Sequence, residues 1–286
     1  MNLKNLFNKN YFVQNVLKSK AVIALVLGII PILNAIYIMS LANETNGNVV
    51  VEFGELSIIN VLGMYVLPVI ISLCLFGYLF KRKSVDFINS MPLSRKQIFV
   101  TNTIGGILLI VSMMLINTLI ILVQTLIFSN LVIPFNMIID YFVLFTISYI
   151  FVFVISNLAA TLAGNNITMI ILTILIAFFV PFMHHYISGF DGEFNDNVIY
   201  TQSADCVKCE EVYTYGNNTL KEIRKENSYT LPYNIFTNVF TGDGTIYNTG
   251  SIVKMVILTI VYILLGIILF ERRKMEVNET SFKKPS

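Results

Sequence analysis

The side chains best suited to chemistry in this chain are His184-His185, the pair Cys206 and Cys209, and the acidic run Asp191, Glu193, Asn195 and Asp196. Two histidines and two thiolates make a zinc donor set in composition. Adjacent histidines on a helix point in different directions, however, and one C-x-x-C pair is a weak signal. A disulfide between Cys206 and Cys209 is favoured over metal ligation on an oxidising outer face, with two free thiols as the alternative. The acidic run lacks the ligand spacing of a calcium loop and reads as a solvated turn. No G-x-x-x-x-G-K-[ST] loop occurs, and Gly242-Asp243-Gly244 lacks both the lysine and a following helix, so the chain has no ATP-hydrolysing motif. Neither H-E-x-x-H nor G-x-S-x-G is present, against a membrane protease or hydrolase. Asn43-Glu44-Thr45 and Asn217-Asn218-Thr219 match glycosylation sequons, which mean little if the source is bacterial. The expectation is a non-enzyme with no catalytic residue, resident metal or cofactor.

Composition says what surrounds these residues. The chain is 56% hydrophobic and 13% charged, without tryptophan, and its mean hydropathy is +0.74. Soluble domains carry roughly 25% charged residues, so the expected class is an all-α polytopic membrane protein. Six apolar runs are long enough to span a bilayer. They lie near Ala21–Ala42, Ile58–Phe80, Ile98–Phe128, Asp140–Ala163, Ile167–Tyr186 and Ser251–Phe270. Residues 1–20 place Leu3, Leu6, Phe7, Val13, Val16 and Leu17 on one helical side and Lys and Asn on the other, as in an interfacial helix. No signal-peptide cleavage pattern is expected there. Residues 21–186 hold the first five spans, and residues 251–286 the last span with a basic tail. The intervening 187–250 is an extracellular segment with expected strands at Asn197–Gln202 and Glu211–Tyr215, and a helix at Leu220–Asn227.

Charge orients the bundle. Lys4, Lys9, Lys18, Lys20, Lys81, Arg82, Lys83, Arg95, Lys96, Arg272, Arg273, Lys274, Lys283 and Lys284 fall on one side of a six-span chain. The two short opposite loops have no Lys or Arg, so both termini are expected in the cytoplasm of a multi-pass cell-membrane protein. No span core contains Asp, Glu, Lys, Arg or His, although ion-coupled carriers usually need one. The polar residues inside are Asn34, Asn60, Asn117, Gln124 and Asn157. Asn117 and Gln124 are seven apart and share a helix face. They read as inter-helix hydrogen-bonding residues or, with Asn157, as the lining of a substrate route. Motive force must come from elsewhere.

One stretch is built to receive it. Between the second and third spans, Lys81–Val100 reads KRKSVDFINSMPLSRKQIFV. Ser84 is the expected N-cap, with Asp86 in the first turn. Val85, Phe87, Ile88 and Met91 make one side of a short helix over 84–91 apolar. Pro92 stops that helix, and Ser94 with Gln97 has capping-box spacing for the next one.

Residues 86–99, DFINSMPLSRKQIF, resemble the F-x-x-S-(L/M)-P-(I/L)-S-R-K-x-(I/L)-F segment of bacterial ABC-2-type exporter permeases, particularly the Ytr and Pmt kinds. Phe87, Ser90, Pro92, Ser94, Arg95, Lys96 and Phe99 stand in register. The tail around Arg273 to Glu276 departs from the usual pattern, since Val277 and Asn278 replace the glycine after the glutamate. In that family the segment is a coupling helix that docks on a separate cytosolic ATPase, which binds ATP and Mg. The resemblance implies that Val85, Asp86, Phe87, Ile88, Met91, Pro92, Ser94, Arg95 and Lys96 form the ATPase-coupling site. Phe87, Ile88 and Met91 are then the apolar contact, while Arg95 and Lys96 meet acids or phosphates. It also implies a second permease chain, identical or paralogous, and outward movement of an amphipathic peptide or lipid-like cargo. No nucleic-acid partner is expected. The alternative is a non-transporting sensor or resistance protein whose outer segment binds an antimicrobial peptide or cell-wall precursor.

Overall fold

Within a bilayer every backbone hydrogen bond must be closed internally, so long apolar runs become helices. The computed structural model describes residues 8–44, 49–50, 53–81, 84–85, 88, 90, 92–128, 131–179, 213–215, 218–220 and 249–273. Its helices are α1 (Lys9–Lys18), α2 (Lys20–Glu44), α3 (Phe53–Phe76), α4 (Arg95–Ile127), α5 (Phe135–Leu162), α6 (Asn166–Ile174) and α7 (Thr249–Arg272). A 3-10 turn, Gly77–Phe80, extends α3, and a π turn, Leu175–Phe179, extends α6. Among the described residues five helices are long and apolar enough to cross a membrane, within α2, α3, α4, α5 and α7. The expected fifth span is represented by a shorter apolar helix, Asn166–Ala177, and the rest of that span lies outside the described residues.

α5 is the axis of the bundle, packing on α3, α4, α6 and α7. Its buried residues, among them Tyr141, Phe145, Tyr149, Phe153 and Ala160, cover most of its circumference. By contrast α2, α4 and α7 each turn an apolar stripe outward, with Leu25 and Ile32, Leu108 and Leu119, and Ile257 and Leu264 exposed. That division is what lipid as solvent demands of peripheral helices. Close approach depends on glycine at Gly106, where a Cβ would overlap the Phe153 ring of α5.

The connections sort to two ends. At one end, β1 (Val49–Val50) pairs in parallel with β2 (Leu131–Val132), which ties the α2–α3 and α4–α5 connections. At the other end lie the start of α4 and the finishes of α3, α5 and α7, together with α1. There Phe99 of α4 stacks between Phe76 of α3 and Phe270 of α7, at centroid distances of 5.5 and 5.4 Å. In the segment between α6 and α7, β3 (Tyr213–Tyr215) pairs antiparallel with β4 (Asn218–Leu220). Leu220 is therefore strand rather than the start of the expected helix. Cys206, Cys209, His184 and His185 lie outside the described residues.

α1 differs from expectation in what its polar side meets. Tyr11 and Asn15, four apart, turn toward α3 and α4 rather than water, while the Asn8 side chain caps α1 by accepting from Tyr11 N. Val13 and Leu17 are the exposed apolar residues of this helix, while Leu3, Leu6 and Phe7 lie outside the described residues. The reason is local: α3 ends beside α1 with carbonyls in need of donors, and asparagine supplies them.

Candidate functional site

The insert that follows α3 begins one turn earlier than its sequence indicates. The Lys81 carbonyl accepts from Ser84 N at 2.9 Å and from Val85 N at 3.0 Å, so Ser84 lies inside the first turn instead of capping it. Val85 and Ile88 are only 5% and 8% exposed, and Ile88 belongs to the bundle's own core. Three residues apart, they form the inward side of this short helix. Ile88 is thus used to seat the insert on the bundle, and it is closed to an outside partner. Ser90, Pro92 and Ser94 are exposed, and Leu93 packs against the core. Asp86, Phe87 and Met91 lie outside the described residues.

α4 then starts with the capping box read from sequence. Gln97 N donates to Ser94 Oγ at 3.2 Å, and Ser94 N donates to Gln97 Oε1 at 2.9 Å. A double cap fixes both the helix start and the direction in which the insert enters it. The next two residues have partners inside this chain. Arg95 Nη1 donates to the carbonyls of Glu271 at 3.4 Å and Arg273 at 3.2 Å. Lys96 Nζ pairs with Glu271 Oε1 at 3.1 Å. Both side chains of that pair are about two-fifths exposed, at 42% and 39%, so the pair positions more than it stabilises.

Arg273 continues the series. Its guanidinium donates to the carbonyls of Ala160, Thr161 at 3.3 Å and Ala163 at 2.8 Å. It lies 5.8 Å from the centroid of the Phe80 ring. Those carbonyls belong to the last turn and cap of α5, where the helix dipole is negative and backbone acceptors are otherwise orphaned. Desolvation pulls the Arg273 pKa below its ordinary value, and nearby Tyr78 raises it in part. The planar fork suits this contact because it can meet several carbonyls of one helix end together.

The end of α3 is held by neutral groups. Asn15 Nδ2 donates to Leu75 O at 3.3 Å and to Asn102 Oδ1 at 3.1 Å, while Asn102 Nδ2 donates to Leu75 O at 3.2 Å. Tyr11 completes the cluster, its hydroxyl 3.5 Å from Asn102 Nδ2. Burial pushes the Tyr11 pKa up and the bond from Asn102 draws it down in part. Asn8 N donates to Thr101 Oγ1 at 3.1 Å, which closes the N-terminal side. Three spans therefore finish at this end with their carbonyls capped by side chains from other elements.

The polar residues inside the bundle form a separate site. Asn34 of α2 donates to Asn117 Oδ1 of α4 at 2.9 Å and to Tyr141 Oη of α5 at 3.1 Å. Asn117 Nδ2 donates to Tyr141 Oη at 2.8 Å, and the Asn60 amide of α3 reaches the same oxygen. A phenol has two lone pairs and one proton. Two amides can donate to it, and a third must accept. Asn60 is the member whose amide oxygen has no other partner, so the balance closes when its amide is turned and that oxygen accepts a hydrogen bond from the Tyr141 hydroxyl. Gln124 donates to Ala35 O at 2.8 Å, and Ser72 of α3 donates to Asn157 Oδ1 at 2.7 Å. Asn117 and Gln124, seven apart on α4, thus both bond into α2. Each of these contacts joins two helices.

Sequence reasoning placed Arg273 only among the orienting charges and in the tail pattern, and did not single out Asn102, Asn15 or Tyr141. A polar residue just beyond or inside an apolar run was their only signal. Among the described residues no group of three or more His, Cys, Asp or Glu is placed to hold a metal. Residues 80–275 match a family model described as ABC-2 family transporter protein. No curated protein and no solved structure matches the chain.

Proposed function

The chain belongs to the ABC-2 family of transporter proteins, and from that premise we propose that it is the permease of an ATP-driven exporter worked by a separate cytosolic ATPase. Membership makes it a membrane component of an ABC-type system; docking, direction and cargo are our reading. The observation that carries it is the insert between α3 and α4. Val85 and Ile88 are buried against the bundle, and the Ser94 capping box starts α4 directly after Leu93. A short helix held at both ends can pass a push into the membrane. Among the described residues the bundle interior offers amides and hydroxyls but no charge to be driven by an ion gradient.

In this reading Asp86, Phe87 and Met91 meet the ATPase, with Pro92 and Ser94 at the edge of the contact. Val85 and Ile88 anchor the insert from behind, and Arg95 and Lys96 hand its movement to α7. ATP and Mg are bound by the partner. Two permease chains, identical or paralogous, enclose the route, and both termini face the cytoplasm. The uncharged interior favours an amphipathic peptide or lipid-like cargo moved outward, a reading that extends the resemblance to Ytr and Pmt permeases.

Phe87→Asp combined with Met91→Ala is the test, because these are the two apolar residues of the insert that this reading assigns to the ATPase contact. The tagged chain purified from its native membranes is expected to carry a stoichiometric nucleotide-binding subunit, and the variant to lose it while still inserting as a monodisperse protein. A variant that kept the subunit would remove the reading.

A further inference from the structure

We propose that Arg95 and Arg273 are positioning residues that act in series, passing movement of the docked insert through the end of α7 to the end of α5. The proposal rests on the docking reading above and specifies how that site reaches the membrane helices. Its basis is that one residue takes part in both links. The carbonyl of Arg273 accepts from Arg95 at 3.2 Å, while its own guanidinium holds Ala160, Thr161 and Ala163. Displacing the start of α4 therefore displaces the backbone from which the α5 cap is suspended. α5 touches α3, α4, α6 and α7, so its end is the place from which a shift spreads to the rest of the bundle.

The chemistry of the links suits motion. Each is a cation on the negative end of a helix, with several orphaned carbonyls within reach. Such a contact can slide from one carbonyl to the next without stranding a buried charge, whereas a buried carboxylate pair cannot part without a large cost. Arg273 takes no carboxylate partner among the described residues. Its surroundings are the α5 carbonyls, the Phe80 face and Tyr78, which supply acceptors and shelter and leave the position adjustable. Downstream, α5 gives way to the Gly164-Asn165 turn. There Asn165 Oδ1 accepts from Thr168 N at 2.7 Å and starts α6 at once. Movement of the α5 end is thereby inherited by α6.

The test measures ATP hydrolysis by the purified permease–ATPase complex. Arg273→Ala and Arg95→Ala are each expected to keep the ATPase bound but to lower permease-dependent turnover about fivefold or more, the low end of a typical coupling between sites. Because the two act in series, the double variant should be no slower than the worse single one. Arg273→Lys should recover part of the loss, since an ammonium can hold only some of the carbonyls. A reversible tie supplies the second arm. In a background with Cys74, Cys206 and Cys209 replaced, Lys96→Cys and Glu271→Cys are joined by a reducible bis-thiosulfonate linker, which restores the Arg95 link covalently. The tie should rescue turnover of Arg95→Ala until reductant is added. Turnover that stays unchanged in the single variants, losses that add, or a tie that fails to rescue Arg95→Ala would each overturn the relay while docking stands. A wild-type chain that purifies without any ATPase would overturn both.

Discussion

The basic end joins three helices, α4, α5 and α7, and the mid-membrane node joins four, both through polar side chains, yet they do so with different chemistry. At the end, Arg95, Lys96 and Arg273 reach backbone carbonyls and one glutamate, with Arg95 and Lys96 at least partly open to solvent. In the interior Asn34, Asn60, Asn117 and Tyr141 are all within 1% of full burial and carry no charge. The bilayer explains the split. A cation is tolerable where water and helix dipoles can compensate it, whereas mid-membrane only neutral groups with closed hydrogen bonds are cheap. The two regions should therefore fail in different ways. Interior damage costs stability, and damage at the basic end costs communication.

Tyr141→Ala should break the interior most severely. It removes a fully buried ring and the shared oxygen of three amides, an expected loss of about 3–5 kcal/mol. Denaturant titration of helicity in detergent would report it, and an unfolding midpoint within error of wild type would end the idea that this node organises the bundle. Gly106→Val comes next, at roughly 1–3 kcal/mol, because the new side chain must displace Phe153. Suppression by Phe153→Ala in the same assay would show that the clash is the cause. At the basic end Arg273→Ala should cost no more than about 2 kcal/mol, the upper range for a cation at a helix C-terminus. Its effect on turnover should be out of proportion to that figure, and the contrast disappears if stability falls as far as for Tyr141→Ala. Lys96→Gln is the mildest change. An exposed pair contributes about 0–1 kcal/mol, so its melting temperature should match wild type at low and high salt alike.

How far the sequence disclosed this arrangement depended on the range of the forces involved. Apolar runs gave α2, α4 and α7 to within a few residues, and the Ser94–Gln97 and Asn165–Thr168 caps are local enough to read directly. α5 starts at Phe135, ahead of Asp140, because Pro134 can precede a first turn and a lone carboxylate near a span end does not break a helix. Ser84 was misplaced for a similar reason, since the Lys81 carbonyl already begins the turn. The apolar side of the insert was legible, but what covers it was not. Periodicity shows that Val85 and Ile88 are buried and says nothing of whether a partner or the chain itself buries them. The Arg273 cap spans at least 110 positions, and Tyr141 gathers asparagines from three other helices. Such contacts exist only after packing, so no local pattern announces them. The match over residues 80–275 and the helical bundle agree with the family that the insert motif pointed to.

Whether the insert is the cytosolic dock is tested most directly by a single cysteine at Ser90, an exposed position on it. With Cys74, Cys206 and Cys209 replaced, a membrane-impermeant maleimide should label Ser90→Cys in inside-out vesicles stripped of peripheral proteins, and should be blocked when the ATPase is present. Labelling from the outside of intact cells, or labelling that the ATPase leaves unchanged, would contradict the account.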